Sequence, residues 1–117
     1  MPRALDVLIV DDDPLITRAL ARVLRGRHTV RLAEDLGQAL ALLEERTPDV
    51  VLCDFCMGDL TAAGFLRTVR ARWPQVRLVL HSASRAELWH ELLADGPIDG
   101  AVVKPAAIDD LMASLEA

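Results

Sequence analysis

The stretch Asp49-Val50-Val51-Leu52-Cys53-Asp54 is the one from which the rest of the chain can be read. Its apolar run is short and unbroken, the form of a strand buried on both faces, so Asp54 stands where the chain leaves the core and meets solvent. Three other stretches repeat that form. Leu8-Ile9-Val10 runs into Asp11-Asp12-Asp13, Leu78-Val79-Leu80 into His81-Ser82, and Ala101-Val102-Val103 into Lys104. A single polar residue after an apolar run means little, but the recurrence implies strands that all deliver polar residues at the same end.

The segments between these runs have helical character. Leu5 to Val10 reads as the first strand, and Asp13-Pro14 opens a helix with an N-cap and a proline at its first position. Leu15, Ile16, Ala19, Leu20, Val23 and Leu24 then recur at helical spacing up to Gly26. His28 to Ala33 alternates more and suits an edge strand. Asp35 caps a second helix with the face Leu36, Ala39, Leu40 and Leu43, which Thr47-Pro48 ends. After the strand 49–53 and the loop 55–60, a third helix from about Thr61 to Arg72 turns Phe65, Leu66 and Val69 inward. Val76 to His81 is the fourth strand, Ser84-Arg85-Ala86-Glu87 has the form of a capping box opening a fourth helix, and Ile98 to Val103 is the fifth strand. Ile108, Leu111, Met112 and Leu115 make the last helix amphipathic.

Strands and helices alternating five times, with connections long enough for crossovers, imply a parallel sheet covered on both faces. The expected fold is α/β, a doubly wound five-stranded parallel sheet of order 2-1-3-4-5 in a three-layer (βα)5 sandwich, forming one domain over residues 1–117. Right-handed crossovers put the carboxyl ends of the strands along one edge, where such sheets bind ligands. Asp12, Asp54, Ser82 and Lys104 then ring a cavity about 15 Å across, given strands ~4.8 Å apart.

Composition narrows the chemistry. Of 117 residues 52% are apolar and only 3% aromatic, so the core is packed from aliphatic side chains. A net charge of -5 disfavours direct contact with nucleic acid or an anionic membrane. No window approaches the ~20 apolar residues of a membrane span, and the N-terminus lacks the order of a secretory signal, which makes the cytoplasm the expected compartment. Cys53 and Cys56 have no second pair to complete a four-ligand zinc site. A redox C-x-x-C would open a helix, whereas Cys53 falls within a strand.

Asp11, Asp12 and Asp54 converging without neutralisation would repel, so the group must keep a proton or recruit a cation. Oxygen donors of this kind suit Mg2+, which accepts one or two carboxylates and retains waters. A carboxylate held beside Mg2+ and Lys104, the only lysine of the chain, can attack phosphorus to give an acyl phosphate. A hydroxyl from Ser82 would meet the remaining phosphoryl oxygen.

On these residues the chain resembles, over its whole length, the receiver domain of bacterial two-component response regulators, similar to the chemotaxis regulators with their flavodoxin-like fold. The resemblance is carried by Val10-Asp11-Asp12-Asp13-Pro14, Asp54 with Met57, Ser82-Ala83 and Lys104-Pro105 in that order. It implies that Asp54 is the phosphoacceptor, taking a phosphoryl group from a sensor histidine kinase or phosphotransfer protein. By the same resemblance Asp12 binds Mg2+ directly, Asp11 mainly through water, and the backbone carbonyl of Cys56 adds a ligand beside Asp54. Ser82 is the switch hydroxyl, Ala83 contacts the phosphate, Lys104 is its counter-charge, and Pro105 follows a peptide bond usually cis in the family. The implied protein is a self-phosphorylating switch rather than a turnover enzyme. Its readout would pass to an output domain or a homodimer through the face of the fourth helix, fifth strand and fifth helix.

The chain departs from the family at Gly58, where a proline is usual, at Gly64, about two residues late, and at Ala101 and Ala106, where aromatics are common. These departures motivate an alternative, a pseudo-receiver signalling by phosphorylation-independent contacts. A phosphatase of the aspartyl-phosphate type fits less well, because Cys56 stands where its second carboxylate belongs. Asp13 reads as a helix cap, His28 and His90 as surface residues, His81 as a strand residue under a helix, and Trp73 and Trp89 as packing or partner surface.

Overall fold

The fold is taken from a computed structural model that describes residues 4–54, 60–82, 96, 98–103 and 108–117. Along the chain run β1 (Asp6–Val10), α1 (Pro14–Leu24), β2 (Thr29–Ala33), α2 (Leu36–Glu45), β3 (Val50–Cys53), α3 (Leu60–Arg72), β4 (Arg77–Ser82), β5 (Gly100–Val103) and α4 (Ile108–Glu116). The five strands form one sheet in the order β2-β1-β3-β4-β5, every pair parallel. This is the doubly wound topology that the sequence predicts, with β2 at one edge. The capping-box segment 84–95, expected to be a helix, lies outside the described residues.

Alternation along each strand splits the core into two layers. Leu8, Val10, Val51, Cys53, Leu78 and Leu80 face Ala39 and Leu43 of α2 and Phe65, Leu66 and Val69 of α3. Val7, Ile9, Val50, Leu52, Val79 and Val102 face Ala21 and Leu24 of α1 and Leu111, Met112 and Leu115 of α4. All four residues of β3 are buried, as a strand covered on both faces requires.

The helix starts follow the local chemistry. Asp13, extended at φ -94°, accepts a hydrogen bond from the Leu15 amide at 3.0 Å, and Pro14 occupies the first turn. Asp35 accepts from the Gln38 amide at 2.7 Å while the Gln38 side chain accepts from the Glu34 amide at 2.6 Å, a reciprocal cap.

The structure settles the rotation of α1, which helical spacing leaves open, and corrects two expectations. The apolar residues of α1 do not form one inward face: Thr17, Ala21 and Leu24 are buried, whereas Leu15 is 76% and Val23 39% exposed. The six apolar positions span two adjacent helical rows, and the row Leu15-Ala19-Val23 points away from the sheet. His28 is not a surface residue. It is buried, accepts at Nδ1 from the Leu5 amide (3.0 Å), and meets Glu116 Oε2 through Nε2 (2.8 Å). With Nδ1 accepting, Nε2 carries the proton, so the ring ties the end of α4 to the start of β1. Finally, β4 extends to Ser82, which pairs with Val103, and β5 begins at Gly100 rather than Ile98. A Cβ on Gly100 would come within 3.0 Å of Ser114 Oγ, so the glycine permits the close approach of α4.

Candidate functional site

Two backbone bonds continue the sheet past the strand ends and fix the site. The Asp11 amide donates to the Ala33 carbonyl at 3.1 Å, and the Asp54 amide donates to the Val10 carbonyl at 2.9 Å. Because Val10 pairs with Cys53, the next residues of β1 and β3 emerge side by side at the carboxyl edge of the sheet. Asp11 and Asp54 are buried there and Asp12 is exposed. The Asp13 amide donates to Asp11 Oδ1 at 2.9 Å, which orients that carboxylate as α1 begins.

Carboxylate oxygens of Asp11, Asp12 and Asp54 all lie within 4.8 Å of one another. If ionised, each pair at that separation repels by roughly 3 to 4 kcal/mol at an effective dielectric constant near 20. Among the described residues the cluster offers only oxygen donors, two of them withdrawn from water and one open to it. That set fits a hard divalent cation that keeps some of its waters, and it does not fit a thiolate-seeking metal.

The other expected site residues are described to different depths. Ser82 ends β4, whose Leu80 pairs with Cys53, so its backbone stands at the same edge as Asp54. His81, one residue earlier, is buried and pairs with Val102. Cys53 is buried in the layer facing α2 and α3, and its thiol donates to the Asp54 carbonyl at 3.5 Å. Cys56, Ala83, Lys104 and Pro105 lie outside the described residues, as do Gly58 and Ala106. Ala101 is half-buried against the α2 and α3 layer, where an aromatic had been the family's usual choice. Among the described residues, the acidic cluster gains no member that the sequence had not indicated.

The comparisons with known proteins agree with this arrangement. Residues 7–116 match the family model of the response regulator receiver domain, and the chain belongs to that family. It is 36% identical over 114 residues to the transcriptional regulatory protein ZraR of Escherichia coli O157:H7, covering 96% of this chain and 26% of the relative. Among solved structures, it superposes on a CheY-like receiver domain protein from Methanospirillum hungatei with a TM-score of 0.87 at 21% identity, covering 96% of this chain and 90% of the other. A response regulator from Burkholderia pseudomallei, solved with a phosphorylated aspartic acid, a calcium ion and citrate, gives a TM-score of 0.86 at 21% identity, covering 96% and 66% of the two chains. The chain is thus a receiver domain of the two-component response regulators, a class of phosphoacceptor switches, and it spans about a quarter of the ZraR relative.

Proposed function

We propose that the chain accepts a phosphoryl group on Asp54 from the phosphohistidine of a partner kinase or phosphotransfer protein. A carboxylate oxygen of Asp54 attacks phosphorus, the phosphorus–nitrogen bond breaks, and the departing imidazole takes up a proton. The observation that supports this reading best is the approach of Asp11, Asp12 and Asp54 to within 4.8 Å. Asp11, Asp12 and Asp54, with the Cys56 carbonyl, would hold Mg2+, which supplies positive charge beside the phosphoryl oxygens when bound. Ser82 and the Ala83 amide would each meet a phosphoryl oxygen, and Lys104 would balance the charge. The Burkholderia pseudomallei relative, with its phosphorylated aspartic acid and calcium ion, offers a precedent within the same fold.

In this role the protein acts once per phosphoryl group and passes its state to a partner surface. The output would be an attached domain or a second copy, met through α4, β5 and the segment before β5. Incubation with acetyl phosphate and Mg2+ tests the chemistry by intact mass. The expected result is a gain of one phosphoryl group that disappears in Asp54→Asn and on chelation of the metal. A gain unchanged in Asp54→Asn would overturn the assignment, and no gain at all would favour the phosphorylation-independent alternative.

A further inference from the structure

Six of the ten arginines among the described residues have partners. Arg27, Arg31, Arg46, Arg70 and Arg72 each pair with a carboxylate, and Arg77 donates to the Ser114 carbonyl. Arg18, Arg22 and Arg25, like Arg67 on α3, have neither an ion pair nor a side-chain hydrogen bond among the described residues. The first three stand three to four residues apart along one side of α1, so their side chains are neighbours on one surface. Together they rim a hollow of about 460 Å³ between α1 and β2, floored by Ala21 and Leu32. Among the described residues no carboxylate lines it, although acidic residues outnumber basic ones 18 to 13 in the chain.

We propose that this hollow binds a small organic phosphate carrying two or more negative charges. One cation in the last turn is enough to complement the carbonyl end of a helix, and Arg22 fills that place, so the guanidinium groups of Arg18 and Arg25 are a surplus. Guanidinium forks suit phosphate oxygens, which accept two parallel bonds. The hollow is broad and open to solvent, and the side chains of Ala21 and Leu32 offer an apolar floor for the body of the ligand. A second copy of this chain is a poor occupant, because a two-fold contact through this side would set the guanidinium groups against themselves. The net charge of -5 repels nucleic acid and anionic membranes from the remainder of the surface. Asp11, Asp12 and Asp54 do not line the hollow, so a ligand there is held by a different set of side chains from the acidic cluster.

The test uses the 117-residue chain with EDTA present, to keep metal-bound nucleotide away from the carboxylates. ADP, inorganic pyrophosphate and adenosine are titrated separately, followed by calorimetry and by amide chemical shifts. ADP should bind saturably, shifting amides of Arg18 to Arg25 and of Leu32, with pyrophosphate weaker and adenosine silent. Affinity should fall by about tenfold or more in the triple variant R18A/R22A/R25A, in R22A alone to a smaller degree, and not at all in R67A. Arg67 is exposed and equally without a partner among the described residues, so it controls for charge alone. Circular dichroism checks the fold of each variant, and R22A carries the test if the triple variant does not fold. Absence of saturable binding, or affinity unchanged in both R22A and the triple variant, would overturn the proposal. Equal affinity for pyrophosphate and ADP would overturn the organic body.

Discussion

Asp54 is reached through one backbone bond, from its amide to the Val10 carbonyl, which continues the ladder one step past β3. That step sets it beside Asp11 and makes two buried carboxylates neighbours. Asp12→Asn should weaken Mg2+ binding by about tenfold or more, because it removes one of three charged donors, and calorimetry would register it. An unchanged affinity would place the ion elsewhere. This cluster was legible because a carboxylate directly after a buried apolar run has only one place to be, the carboxyl edge of the sheet. His28 was not legible. Following Gly26 and Arg27 it looks like loop polarity, and only the folded chain brings Glu116, 88 residues away, to its Nε2. His28→Ala should destabilise by about 1 to 3 kcal/mol in urea unfolding, since the Leu5 amide and Glu116 both lose their partner. A neutral result would show that water replaces the ring without cost.

At the scale of the element, α1 shows what periodicity alone leaves undecided. Apolar residues occupy two adjacent rows, and the choice between them is made by the sheet, which accepts the small Ala21 between Thr17 and Leu24 at close approach. The sequence marks the helix and its start, through Asp13 and Pro14, but not the rotation. Two substitutions separate the faces. Leu15→Ser should alter stability by less than about 0.5 kcal/mol, while Ala21→Leu should cost roughly 1 to 3 kcal/mol by overpacking. The opposite order would restore the face that Leu15 and Val23 suggest. For α3 no such ambiguity exists. Phe65, Leu66 and Val69 were readable as its inward side, and Leu66→Ala should cost about 2 to 5 kcal/mol in the same assay.

For the whole molecule, a parallel sheet covered on both faces follows from alternating strands and helices, right-handed crossovers and short continuous apolar runs, and the order β2-β1-β3-β4-β5 is one of the common doubly wound orders. Those rules are general, which is why the parallel, doubly covered sheet could be read without a single contact, whereas the strand order had to be taken from the known doubly wound folds. The parallel arrangement then brings residues from separate parts of the chain to one edge, and the repulsion that ionised Asp11, Asp12 and Asp54 would exert there is what a bound cation would relieve. Binding to the folded state alone should therefore stabilise it, by about 2.7 kcal/mol at a hundredfold excess over the dissociation constant. The most direct test is the thermal midpoint of the 117-residue chain titrated with Mg2+, beside Asp12→Asn and Asp54→Asn. A saturable rise of several degrees in the native chain, strongly reduced in both variants, is the result predicted. The same rise in all three proteins would contradict it.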